Sequence, residues 1–278
     1  MRIRGRRVAL AFAAAVALLL IAGGVYLWHN LVFSGETRPI AGTRHFFVVQ
    51  PGVTEQDLAL VSEGLRLADQ FFVARIGHAM DNAIEVRMAR TTPCLPFLPL
   101  DRSPTAVADR ELICVNTVGH AWTKVVPQDR PLGLSIIAHE HFHNWQAQFN
   151  CLPGPNDHEY AWWVEGSATY VGLHTTVAAG LMSEDAVRER MRQWGGFSDK
   201  LGPLASYEKR ISGDAAYALA YRAIVDLVQR GGGEASLYRF CEQVGRGEAW
   251  RTAFEDAYGI SVENFYTHFE GTRSQKVP

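Results

Sequence analysis

His139-Glu140-His141-Phe142-His143 spells H-E-x-x-H. In a helix, His139 and His143 lie four apart on one face, one turn above each other. Two imidazoles so placed can grip one Zn²⁺, and Glu140 then reaches a water at the metal. Such a site needs a third protein ligand and, for catalysis, an open fourth position. Glu165, in Trp162-Trp163-Val164-Glu165-Gly166-Ser167-Ala168-Thr169-Tyr170, offers the missing carboxylate. His158 and Glu159 are rivals, but they stand in or at the edge of a polar loop. His141 points about 200° away from His139 on a helical wheel, so it belongs beside the ligands or at the surface. Trp145, Trp162 and Trp163 read as core.

The elements that must carry these residues are also legible. Leu134, Ile136, Ile137, Phe142 and Trp145 form an apolar stripe, and Asp129 with Pro131 marks a helix start. Glu165 lies on a second apolar helix, free to return antiparallel after a short loop around Cys151 to Asp157. Gly166 and Ala168 beside it are small enough for a close approach to the first helix.

The paired motifs resemble those of the gluzincins, thermolysin-like zinc metallopeptidases, and in particular the zinc aminopeptidase branch and the broader peptidase MA-like domains. Those carry H-E-x-x-H-x-W and then a helix reading N-E-G-F-A-S-Y. Here the matching runs are His139 to Trp145 and Val164-Glu165-Gly166-Ser167-Ala168-Thr169-Tyr170. The resemblance implies His139, His143 and Glu165 as zinc ligands and Glu140 as the general base that hands its proton to the leaving amine. It implies a tyrosine donor to the oxyanion, from a Y-x-K-G segment that Tyr217-Ala218-Leu219-Ala220 matches in part; Tyr221 is the reserve. The tail Gly231 to Gly233, Ala253-Phe254 and Gly259 also resembles peptidase MA-like domains. In thermolysin-like sites an edge strand above the zinc pairs with the substrate backbone; Leu112 to Val118 is the candidate for that role, with an ordinary structural strand as the alternative. Thr169 stands where the family has a residue supporting a zinc histidine. The likeness runs from about Ser135 to Gly271. The gap between the two motifs is longer than in the aminopeptidases, and their upstream G-x-M-E-N sequence is missing, so free-amine specificity does not carry over.

Val8 to Trp28 is an uncharged apolar run long enough to cross a bilayer. Arg2, Arg4, Arg6 and Arg7 precede it, which sets the N-terminus in the cytoplasm and the remainder outside. A cleaved signal peptide is the alternative. The 27 basic residues less those four leave 23 against 29 acidic ones, a balance that does not suit nucleic acid. The partners expected are a peptide or protein substrate and, through residues 8–28, a membrane. The four cysteines form no C-x-x-C pair, and outside the cytoplasm they suit two disulfides. Of three connectivities, Cys94–Cys114 and Cys151–Cys241 is the expected one.

Along the chain, residues 1–7 form a basic tail, 8–28 a span, 29–42 a linker and 43–278 one ectodomain. Strands are expected at Phe46 to Val49, Ile84 to Met88 and Leu112 to Val118, and a proline-rich loop at Thr91 to Pro104. Helices are expected at Thr54 to Ile76, Glu184 to Trp194, Asp214 to Arg230, Ala235 to Val244, Ala249 to Tyr258 and Val262 to Gly271. The fold class is α+β, a gluzincin-like domain with a mixed first half and an all-helical second half. The function expected is a membrane-anchored zinc metallopeptidase; a non-catalytic binding protein on the same fold is the alternative.

Overall fold

A computed structural model of the chain describes residues 33–91, 94, 105–152, 159–198 and 200–273. Residues 1–32, which include the expected span, lie outside the described residues, as do His158 and most of the Thr91 to Pro104 and Cys151 to Asp157 loops. Among the described residues no helix is long and apolar enough to cross a membrane.

The first half is a five-stranded sheet backed by one helix. Strands β1 (Glu36–Pro39), β2 (Phe46–Val49), β3 (Glu85–Ala89), β4 (Ala106–Asp109) and β5 (Leu112–Asn116) stand in the order β1-β2-β3-β5-β4. Helix α1 (Glu55–Phe71) makes the crossover that lets β3 run parallel to β2. Its start is a capping box: the Thr54 hydroxyl accepts the Asp57 N–H, and the Asp57 carboxylate accepts the Thr54 N–H. One π-helical turn, Phe72–Ile76, follows, and Gly77 ends it with φ at 89°, in the left-handed region that favours glycine.

Two of the sequence expectations need correction. The stretch 29–42 is not all linker, because Glu36–Pro39 pairs antiparallel with β2. Nor is Leu112 to Val118 an edge. Strand β5 lies between β3, its parallel neighbour, and β4, its antiparallel one. A two-residue turn, Arg110-Glu111, folds β4 back over β5, so β4 takes the edge.

From Arg130 onward every regular element among the described residues is helical: α2 (Arg130–Gln148), α3 (Ala161–Ala178), α4 (Glu184–Gln193), a short 3₁₀ turn (Leu204–Tyr207), α5 (Asp214–Arg230), α6 (Ala235–Gly245), α7 (Trp250–Tyr258) and α8 (Val262–Arg273). Asp129 caps α2 by accepting the Leu132 N–H at 3.0 Å, with Pro131 in the first turn. Trp145, Trp162 and Trp163 are fully buried, and each indole N–H is satisfied, by the His78 carbonyl, the Tyr266 hydroxyl and the Tyr258 hydroxyl respectively. The cysteines pair as Cys94–Cys114 and Cys151–Cys241. The first bond sits in the sheet half, and the second ties the end of α2 to α6.

Candidate metal centre

Helices α2 and α3 run antiparallel, and they approach closely at a glycine. A Cβ at Gly172 would stand 2.4 Å from the Ser135 carbonyl oxygen and 3.2 Å from His139 Cβ. Gly166, the small residue the sequence points to, faces α5 instead, where a Cβ would meet the Ala220 backbone at 2.9 Å. Both contacts matter to the site, since one fixes α3 against α2 and the other fixes α5 against α3.

That packing brings three side chains to one point. His139 Nε2 and His143 Nε2 are 3.1 Å apart. Glu165 Oε2 lies 3.4 Å from the first and 3.3 Å from the second. Ligand atoms about 2.0–2.1 Å from a tetrahedral zinc stand roughly 3.3 Å from one another, so this triangle has the size the ion requires. The tautomers fit as well. Gln146 donates both to the Val164 carbonyl, at 3.2 Å, and to the Ser167 hydroxyl, at 3.0 Å. Its Oε1 is thereby turned to His143 Nδ1, 2.8 Å away. The proton of a neutral His143 then sits on Nδ1, leaving the Nε2 lone pair free for a metal. Thr169 donates to the Glu165 carbonyl at 2.8 Å, so its oxygen is the acceptor for His139 Nδ1–H, at 3.5 Å. Sequence reasoning missed Gln146; its signal was a glutamine one turn beyond the second histidine.

The electrostatics point the same way. Burial pulls the His143 imidazolium down, but the charge and hydrogen bond of Glu165 outweigh it, and the pKa is pushed up to about 9. Burial raises the Glu165 carboxyl, yet His143 and His139 hold it well below the usual carboxylate range. The cluster thus attracts positive charge.

Glu140 lies beside the triangle and is partly buried. Desolvation raises its pKa, against the pull of His139 and His143, and it accepts a hydrogen bond from the Ala108 backbone of the edge strand β4. Tyr217 reaches the same place: its ring centroid is 6.3 Å from that of His139, and it hydrogen-bonds the Glu165 carboxylate. Burial, then Glu165 and Glu140, raise its pKa, so the phenol keeps its proton. Tyr221 faces elsewhere and bonds His174 Nε2 at 2.9 Å. Glu159 is exposed at the start of the α3 segment and outside the triangle.

A second trio, His45, Asp69 and His141, also converges. His141 is not at the surface but fully buried, 2.8 Å from Asp69 Oδ1. This trio is a hydrogen-bonded clamp rather than a metal site. His45 Nδ1 accepts the Ile84 N–H at 3.1 Å, so its neutral ring carries the proton on Nε2, which faces Asp69 at 3.5 Å. A donor in that position cannot be a ligand.

Two depressions open at the metal position. One, about 200 Å³, is lined by His139, Glu140, Tyr217, Leu132, Ile136, Leu173, Trp194 and Asp214 among others. The other, about 500 Å³, is lined by His143, Glu165, Ala108, Val164, Lys209 and Arg210 among others.

No protein-family model matches the sequence, and no curated protein matches it. Among solved structures the chain is similar to Legionella pneumophila aminopeptidase A in complex with aspartic acid, at TM-score 0.51 and 18% identity, covering 81% of this chain and 26% of that one. It also matches yeast LTA4 hydrolase in complex with bestatin, at TM-score 0.46 and 13% identity, over 87% of this chain and 38% of that one. The chain spans about a quarter of the length of the first and well under half of the second. The first of these likenesses shows an α+β fold shared with part of that chain.

Proposed function

We propose that the chain is a zinc-dependent metallopeptidase, anchored in a membrane by residues 8–28, that hydrolyses peptide bonds outside the cytoplasm. The observation that carries this reading is the zinc-sized triangle of His139, His143 and Glu165, with a carboxylate and a protonated phenol beside it. Bound zinc would acidify a water and polarise a carbonyl. Glu140 is the general base: partial burial raises its proton affinity, so it holds the water's proton and then returns it to the leaving amine. Tyr217 keeps its proton and donates to the developing oxyanion. The edge strand β4 lies over the site through Ala108, in place to pair with an extended substrate. The two disulfides suit an oxidising compartment. A non-catalytic binding protein would have no use for a desolvated carboxylate at position 140.

The test uses the full chain. It should contain one zinc per molecule and cleave peptides in a chelator-sensitive way. Glu140→Gln should keep the zinc and lose at least a hundredfold in turnover. Full turnover in Glu140→Gln, or stoichiometric zinc in a His139→Ala/His143→Ala protein, would overturn the assignment.

A further inference from the structure

The two depressions at the metal position differ in charge. The larger, on the His143 and Glu165 side, carries Lys209 and Arg210 and, among the described residues, no carboxylate besides Glu165 itself. Both cations belong to a segment whose backbone is held in place. The Glu208 carbonyl accepts the Ala161 N–H at 2.7 Å, which docks the segment on the first turn of α3. The Glu208 side chain, the acid nearest in sequence, is already engaged by Arg251 at 3.0 Å and by the Tyr266 hydroxyl at 2.8 Å. Among the described residues neither Lys209 nor Arg210 forms an ion pair, whereas Arg230, Arg246, Arg251 and Arg273 all do. Two exposed cations without an ion pair among the described residues thus stand side by side on the wall of one groove. The smaller depression holds two acids, Glu140 and Asp214, and an apolar wall of Leu132, Ile136, Leu173 and Trp194.

We propose that Lys209 and Arg210 form a carboxylate-binding subsite in the groove beside His143 and Glu165. The substrate arm lying there would carry either a free C-terminal carboxylate or an acidic side chain. The arm in the other depression presents an apolar side chain to Leu132, Ile136, Leu173 and Trp194, with Asp214 disfavouring a second negative charge. This inference rests on the peptidase reading for the arm's being a substrate, but the subsite itself is tested by binding alone. Arginine offers a planar fork to a carboxylate and lysine a point charge. Both are solvated here, so the attraction falls as salt rises.

The experiment measures peptide affinity by titration calorimetry with the zinc-loaded full-length Glu140→Gln protein, so that turnover plays no part. One apolar core peptide is made in four forms: C-terminal amide, free C-terminal acid, amide with an aspartate towards its C-terminal end, and amide with a lysine at that place. The free-acid or the aspartate form, or both, should bind about tenfold tighter than the neutral amide at low salt, and the lysine form weaker than it. Which of the two binds tighter identifies the source of the carboxylate. In Lys209→Glu/Arg210→Glu the ordering should invert, and in Lys209→Gln/Arg210→Gln it should flatten. Equal affinities for all four forms, or a preference that survives both double substitutions, would overturn the subsite. Absence of hydrolysis by the unsubstituted protein, with the preference intact, would instead count against the peptidase reading.

Discussion

At the scale of single residues, the His139–His143–Glu165 triangle depends on side chains outside it. Gln146 is the clearest case. Its two donor bonds to α3 leave its oxygen one use, to hold the proton of His143 on Nδ1. Gln146→Met keeps the shape and removes the acceptor, and should weaken zinc binding about ten- to a hundredfold in a competition titration. Gln146→Glu keeps an acceptor and should lose less; equal losses for the two would mean that Gln146 acts only by packing. Glu165 is tested against its neighbour in sequence. Glu165→Ala should lose zinc affinity by orders of magnitude while staying folded, because two histidines leave the coordination incomplete. Glu159→Ala should bind zinc as the parent does, since Glu159 is exposed and outside the triangle. The reverse result would require a different register of α3.

Elements hold the residues in place, and here reading the sequence succeeded and failed for definite reasons. Asp214–Arg230 and Glu184–Gln193 match the expected helices because their apolar periodicity and flanking glycines or caps are local signals. Strands β1 and β4 were missed because neither Glu36-Thr37-Arg38-Pro39 nor Ala106-Val107-Ala108-Asp109 has the β-propensity that marks Phe46-Phe47-Val48-Val49, a strand of the same length. That His139, His143 and Glu165 converge could be read from spacing, but which neighbour each small residue of α3 would face could not. That depends on how α3 is rotated between α2 and α5, a property of three helices at once. Gly172→Ala should therefore cost about 1–3 kcal/mol of stability and also weaken zinc binding, because α3 must move away from α2 and carry Glu165 with it. Unchanged metal affinity in that variant would show that the helix contact does not set the triangle. The clamp at Asp69 plays a parallel part, tying α1 to α2 through His141. Burial raises the Asp69 carboxyl, but His141 and His45 outweigh it and hold it below the usual range. A depressed carboxyl stabilises the fold fully above its unfolded value of about 3.9 and loses that contribution as pH falls towards its folded value. Asp69→Asn should destabilise by about 2 kcal/mol near neutrality, and the gap to the parent should narrow in unfolding curves taken below pH 4.

For the molecule as a whole, the two disulfides divide the work between the halves. Cys94–Cys114 joins residues 20 apart, within and beside the sheet. Cys151–Cys241 joins residues 90 apart and fastens the chain just beyond α2 to α6. In the loop-entropy picture the longer closure restricts the unfolded chain more, about 4.6 against about 3.3 kcal/mol. Both sulfurs of the long bridge are fully buried, so serines there would also leave hydroxyls among apolar neighbours; alanines avoid that cost. Cys151→Ala/Cys241→Ala should then lower the melting temperature more than Cys94→Ala/Cys114→Ala does. It should also weaken zinc binding, because the C-terminal end of α2, one to two turns beyond His143, is no longer fastened to the rest of the helical half. The short bridge, packed with Ala89 and Phe33 in the sheet half, should leave zinc affinity close to the parent value. Calorimetric melts and zinc titrations of the two variants decide the matter. A larger loss of stability from the short bridge, or equal zinc affinity in both, would mean that the helical half holds the site by packing alone.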